Sequence, residues 1–149
     1  MLDPNALKAS LEAKFPETAG KLVIQRPLRL WLEVPAEKHH DVAAWLKEEQ
    51  KFLQCCTITG TDEKESLVET CHLAHDDGTV LSLRQRVPRD AAVIQSVCDL
   101  YPSCANYERE LVDLLGFKVK DLPPGKRYPM PDDFPKDQHP LRKDWKPTA

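Results

Sequence analysis

Glu108, Glu110 and Asp113 place three carboxyl groups within six residues, and Asp132-Asp133 adds two more downstream. Paired carboxylates perform general acid and base chemistry when both open onto one substrate cavity. On a helix, however, Glu108 and Glu110 would sit about 200° apart, so one substrate could not reach both. A stand-alone hydrolase or isomerase built on this pair would need both groups to face one pocket. The plainer reading is an ion-pair cluster that ties the helix to the segment after it, where Lys126, Arg127, Arg142 and Lys143 supply cations.

Other reactive residue types are present without a matching pattern. His39 and His40 are neighbours and diverge by about 100° on a helix, which is wrong for joint ligation and reads as two solvated surface histidines. His72 follows Cys71 directly, so on a strand the two face opposite sides. Cys55, Cys56, Cys71, Cys98 and Cys104 are odd in number and lack a C-x-x-C spacing. Reduced thiols in a cytosolic compartment are the simplest account, with Cys55 and Cys56 as small packing residues and no zinc or iron-sulfur site expected from this chain alone. Among five glycines none forms G-x-S-x-G or a phosphate-binding loop.

Composition narrows the classes further. The 149 residues are 41% apolar, enough for one domain with a core. No run approaches the roughly 18 apolar residues of a membrane span, and no basic flank leads into a leader-like apolar run. The net charge of -3 argues against general nucleic-acid binding. From Gly116 onward eight Lys/Arg stand against five Asp, a balance of +3, which leaves -6 for residues 1–115. The same segment holds seven of the 13 prolines. A basic, proline-stiffened arm behind an acidic domain suits a segment that lies on something else.

The elements that must position these residues follow from periodicity. Pro4 to Phe15 reads as an amphipathic helix with Asp3 as its cap, and Lys21 to Gln25 and Arg29 to Val34 as short strands. Val42, Trp45, Leu46 and Leu53 share one face of a helix expected over Ala36 to Leu53. Gln54 to Thr59, Ser66 to Leu73 and Thr79 to Val87 read as strands, the last two joined by a hairpin at Asp77-Gly78. In the last strand Leu81, Leu83 and Val87 form a dry face, while Arg84 and Arg86 charge the other. Val93, Ile94, Val97, Cys98 and Tyr101 predict a helix capped by Asp90 and stopped by Pro102.

The next helix, entered at Ser103 and ended by Gly116, carries Tyr107, Leu111, Val112, Leu114 and Leu115 on one apolar arc. Glu108 falls inside that arc and must find a hydrogen-bonding or cationic partner; a basic residue of the domain or arm is expected. Arg109 and Asp113 are four apart and able to pair. Beyond Gly116 the prolines disfavour regular structure. The order predicts an α+β fold with one mixed, largely antiparallel sheet against helices, divided as a domain over residues 1–116 and an extended arm over 117–149.

Glu108-Arg109-Glu110, Asp113 and Gly116, then Arg127 and Pro131-Asp132-Asp133, and finally His139-Pro140-Leu141-Arg142-Lys143-Asp144-Trp145 form an ordered series. It resembles the signature of the thirty-kilodalton subunit family of respiratory complex I, whose homologues occur in membrane-bound, energy-converting nickel-iron hydrogenases and formate hydrogenlyases. One departure stands out: where the family usually has His-Pro before Leu-Arg-Arg, this chain reads Leu122-Pro123-Pro124-Gly125-Lys126-Arg127.

The resemblance implies a non-catalytic subunit that binds no cofactor and no metal. It would pack on a large hydrogenase-like or quinone-reductase-like subunit and a small iron-sulfur subunit, the partners carrying iron-sulfur clusters and, in hydrogenases, nickel-iron. Glu108, Arg109, Glu110, Asp113, Gly116, Arg127, Pro131, Asp132, Asp133, Pro140, Leu141, Arg142, Lys143 and Asp144 are then the expected interface motif. Membrane contact would come through other subunits, on the cytoplasmic side. The compact length favours the hydrogenase version, with the complex I-type NADH:quinone oxidoreductase as the alternative. A proline-recognition adaptor is disfavoured because the arm has no P-x-x-P.

Overall fold

A computed structural model describes residues 1–147. Helix α1 (Pro4–Lys14) starts as expected, with the Asp3 side chain accepting the Asn5 N–H and Pro4 in the first turn. Strands β1 (Val23–Arg26) and β2 (Arg29–Glu33) follow as an antiparallel pair. Helix α2 (Ala36–Glu48) leads into β3 (Gln54–Asp62), β4 (Ser66–Ala74) and β5 (Val80–Pro88). The sheet order is β1-β2-β5-β4-β3. Within this five-stranded sheet only the β2–β5 pair is parallel, because α2, β3 and β4 intervene as the crossover.

The β4–β5 hairpin turns at Gly78, whose φ of +87° suits a residue without a Cβ. Its register pairs Glu69 with Gln85 and Cys71 with Leu83. Strand alternation then points Leu67, Glu69, Cys71 and Leu73 to one face with Leu81, Leu83, Gln85 and Val87. All eight are buried, as are Val42, Ala43, Trp45 and Leu46 of α2, which packs against β5. Phe15 at the end of α1 meets Trp45 edge to face at 5.9 Å between ring centroids. The dry face of β5 therefore carries one amide and that of β4 one carboxylate.

On the opposite face Arg84 and Arg86 are matched by Glu33 and Glu63, which cancels the positive charge expected there.

Helix α3 (Ala105–Leu115) lies across β3 at Gly60, where an added Cβ would stand 2.4 Å from Leu115 and 2.6 Å from Leu111. A side chain there would force both leucine side chains to shift. Strand β6 (Val93–Gln95) pairs in parallel with β7 (Lys118–Lys120), directly behind α3.

Two expectations are corrected here. Val93 to Tyr101 is not a helix: its first residues extend to pair with β7, and the rest forms a loop. Regular structure also continues past Gly116, with Phe117 in the core and β7 in a sheet. Among the described residues no helix is long and apolar enough to cross a membrane.

Candidate functional site: the α3 helix and the arm it holds

Glu108 is fully buried on α3 and faces the loop after β6. Ser96 Oγ–H donates to Oε2 at 2.6 Å, the Val97 N–H to Oε1 at 2.7 Å, and the Cys98 thiol to Oε2 at 3.2 Å. Ser96 Oγ in turn accepts the Cys98 N–H at 3.0 Å. The expected cation is absent among the described residues. Three donors from one loop satisfy the carboxylate instead, so Glu108 fixes the β6–α3 connection.

The far side of α3 grips the arm. Asp113 does not pair with Arg109; its Oδ1 accepts Arg127 Nε–H at 2.6 Å and its Oδ2 accepts the Met130 N–H at 2.8 Å. The Arg127 guanidinium also donates to the Pro131 and Phe134 carbonyls and lies over the Phe134 ring at 5.7 Å. One aspartate thus organises residues 127–134. Arg109 reaches the Pro123 carbonyl at 3.0 Å and Asn106 Oδ1 at 2.9 Å.

A helix leaves its last carbonyls without intrahelical donors. Here the arm supplies them. His139 Nδ1 lies 3.0 Å from the Asp113 carbonyl, the Leu141 N–H donates to Leu114 at 3.0 Å, and Arg142 Nε–H to Leu115 at 2.7 Å. Arg142 also brings positive charge to the negative end of the helix dipole. Gly116 ends α3 at a φ of +78°, and a Cβ there would stand 2.7 Å from both Arg142 and His139. Further on, the Lys143 N–H donates to Asp62 Oδ2 at 2.9 Å, while Arg89 pairs with Asp62 and Asp144.

The motif residues are therefore brought together, but mostly onto one another. Glu108, Asp113, Arg127, Arg142 and Asp144 make contacts inside the chain, and Glu110 borders a cavity of about 270 Å³ between α3, β3 and Leu141. Pro131 contributes its carbonyl to Arg127, and Pro140 turns the chain into Leu141. Asp132 and Asp133 are exposed, and Leu141 is 56% exposed although its backbone is clamped. A groove of about 520 Å³ runs between α3 and the arm, lined by Arg109, Val112, Lys118, Leu122, Arg127 and His139. Glu108 and Glu110 do not open onto one pocket, since Glu108 is fully buried with its oxygens taken up by the loop after β6, while Glu110 borders the cavity beside β3.

A second buried cluster lies in the main core. His39 is not a surface residue but 1% exposed on α2, facing Glu69 and Cys71 of β4. Gln85 Nε2–H donates to Glu69 Oε2. Burial pushes the Glu69 carboxyl up to about 8 and the His39 imidazole down to about 4. His40 turns outward to Asp99 at 2.9 Å, and His72 lies on the other sheet face between Thr59 and Ser82. The signal for Glu69 and Gln85 is period-two alternation, which puts both on the dry faces of their strands.

Comparison with known proteins gives this geometry a family. The model of the respiratory-chain NADH dehydrogenase 30 kDa subunit matches residues 32–149. The chain belongs to this 30 kDa subunit family. A relative from the F420H2 dehydrogenase of Methanosarcina mazei, itself one subunit of that enzyme, is 35% identical over 147 residues, covering 97% of this chain and 92% of that one. The membrane-bound hydrogenase subunit beta of Pyrococcus furiosus is 26% identical, covering 79% of this chain and 70% of that one. A chain in the structure of the membrane-bound sulfane sulfur reductase, an archaeal respiratory membrane complex, superposes with a TM-score of 0.83 at 27% identity, covering 95% of this chain and 85% of that one. The arm and α3 lie inside the stretch that the 30 kDa family model matches. The relatives include dehydrogenase, hydrogenase and NADH-quinone oxidoreductase subunits, so they do not decide between the hydrogenase version and the complex I-type one.

Proposed function

We propose that this chain is a non-catalytic structural subunit of a membrane-associated electron-transfer complex, docking through the outer surface of its arm on the large subunit. The observation that carries this reading is the clamped arm. Asp113, Arg127, His139 and Arg142 fix its backbone while Leu141, Asp132 and Asp133 remain turned to solvent. A prebuilt, exposed segment loses little conformational freedom on docking. The partner subunits supply the iron-sulfur clusters, and the complex reaches the membrane through other chains on the cytoplasmic side.

Of the family's variants, sequence identity supports a dehydrogenase-type complex, since the Methanosarcina relative is 35% identical. A hydrogenase-type complex is the second reading, supported by the Pyrococcus relative. Affinity purification of the tagged chain from its native membranes separates them. The large subunit and an iron-sulfur subunit are expected to co-purify, without nickel for a dehydrogenase and with nickel for a hydrogenase. Leu141→Asp should cut recovery of the large subunit about tenfold or more, a loss of about 1.4 kcal/mol or more. Ile24→Asp, at an exposed apolar position on edge strand β1, should leave it unchanged. Recovery of the wild-type chain alone from intact membranes would overturn the proposal.

A further inference from the structure

His39, Glu69 and Cys71 bring an imidazole nitrogen, a carboxylate oxygen and a thiol sulfur within 4.8 Å of one another, all buried. His39 Nε2 stands 4.0 Å from Glu69 Oε2, and Cys71 Sγ 3.8 Å from Glu69 Oε1. A four-coordinate zinc with bonds of about 2.0–2.3 Å holds its ligands roughly 3.3–3.8 Å apart. The three atoms need only small approaches to meet that geometry.

A second observation points to a missing partner. Neither ring nitrogen of His39 makes a well-formed hydrogen bond, the Leu83 backbone offering the ring only a weak one, and the Gln85 carbonyl oxygen beside Glu69 has none either. Buried polar atoms left without good partners are costly, and three on the two side chains beside Glu69 suit a group that engages the cluster. Glu108 in the same protein shows the contrast, because every donor around its carboxylate is used.

We propose that His39, Glu69 and Cys71 bind one divalent transition-metal ion of the zinc class, forming a structural site between α2 and β4. Charge favours this occupant. A dication with one carboxylate, one thiolate and a neutral imidazole sums to zero, which removes the cost of leaving net charge in the core. The mixed S, N and O set suits zinc or cobalt rather than magnesium or calcium, which take oxygen. Binding displaces the Cys71 thiol proton, and any proton on Glu69, to solvent. Gln85 holds the carboxylate from outside through its Nε2–H, as partners of metal-bound carboxylates commonly do.

The absence of C-x-x-C does not bear on such a site. Two ligands come from alternate residues of β4 and the third from α2, 30 residues earlier than Glu69. Only the packing of helix on sheet unites them.

The test uses the full chain alone, free of metal-bearing partners. Zinc retained after desalting is counted by elemental mass spectrometry, and cobalt(II) is titrated into chain stripped with chelator. About one zinc per chain is expected, with a thiolate-to-cobalt absorption band in the near ultraviolet. Cys56→Ser, at an exposed thiol, should behave as wild type. Cys71→Ser should lose the band, and its cobalt affinity should fall about 100-fold or more. Glu69→Gln should abolish the rise in melting temperature that zinc gives the wild type. A natively folded wild-type chain that retains no zinc and shows no thiolate band would overturn the proposal, as would a Cys71→Ser band equal to the wild type's.

Discussion

Glu108 and Glu69 are the same residue type, both wholly buried, yet their surroundings differ in kind. Glu108 is enclosed by a hydroxyl, an amide and a thiol donated by three consecutive residues of one loop. Glu69 has one firm donor, Gln85, a long contact from the Cys71 thiol, and faces a histidine without a well-formed hydrogen bond. Burial alone therefore does not say what a carboxylate is for. The donors left over do: a saturated carboxylate fixes a connection, whereas a cluster with spare donor and acceptor atoms has capacity for a ligand.

The sharpest way to break this contrast is to remove each carboxylate in turn from metal-free chain. Glu108→Ala leaves three donors unanswered and a cavity beneath α3, so a loss of about 3–5 kcal/mol in chemical denaturation is expected. Glu69→Gln under the same conditions should change stability by only about 1 kcal/mol, because no ion or tight donor set is lost. Equal losses for the two variants would erase the distinction.

The arm extends the comparison to Asp113, which like Glu108 is saturated by its own chain. Asp113→Ala removes the acceptor of the Arg127 Nε–H and the Met130 amide, and about 2–3 kcal/mol should go. Limited proteolysis should then cut within residues 127–134, while the sheet stays intact by circular dichroism. A smaller loss, about 1–2 kcal/mol, is expected for Gly116→Ala, which strains a left-handed residue and pushes Arg142 off the helix end.

The mildest perturbation is acid. The Arg89 guanidinium holds the Asp144 carboxyl below its ordinary range. Burial works against Asp62, but the Lys143 and Lys64 amides and Arg89 outweigh it and hold Asp62 low as well. Folded values below unfolded ones mean that this tether is complete above the ordinary carboxylate range, about pH 4, and is lost as pH falls through the lower folded values. The Trp145 indole resonance, followed from pH 6 to 2, should shift before the main sheet unfolds.

Much of this is legible in the residues. The β4–β5 hairpin, α2 as far as Glu48, α3 and the Gly116 stop follow from local periodicity and turn chemistry, and the family motif from three ordered segments; Leu53, expected on the α2 face, lies beyond the helix and is exposed. What cannot be read depends on distant partners. Val93, Ile94 and Val97 repeat at helical spacing, but Val93–Gln95 pairs with Lys118–Lys120, residues that the nearby prolines make look unstructured. Taking that stretch as helix also hides the Ser96, Val97 and Cys98 donors, which is why the residues alone point Glu108 to a cation. Arg109 and Asp113 have pairing distance on a helix, yet the arm offers each a better partner. His39 reads as surface beside His40 because adjacency masks its place on the Val42–Leu46 face.

The central claim is that the family motif turns the arm into a fixed surface for a partner. Amide hydrogen exchange on the isolated full chain tests it most directly, at Met130, Leu141 and Lys143, whose N–H groups donate to Asp113, Leu114 and Asp62. Protection of about 100-fold or more over unfolded-chain rates is predicted at all three, with Met130 losing it in Asp113→Ala. Exchange at unfolded-chain rates throughout the arm of the wild type would contradict the account.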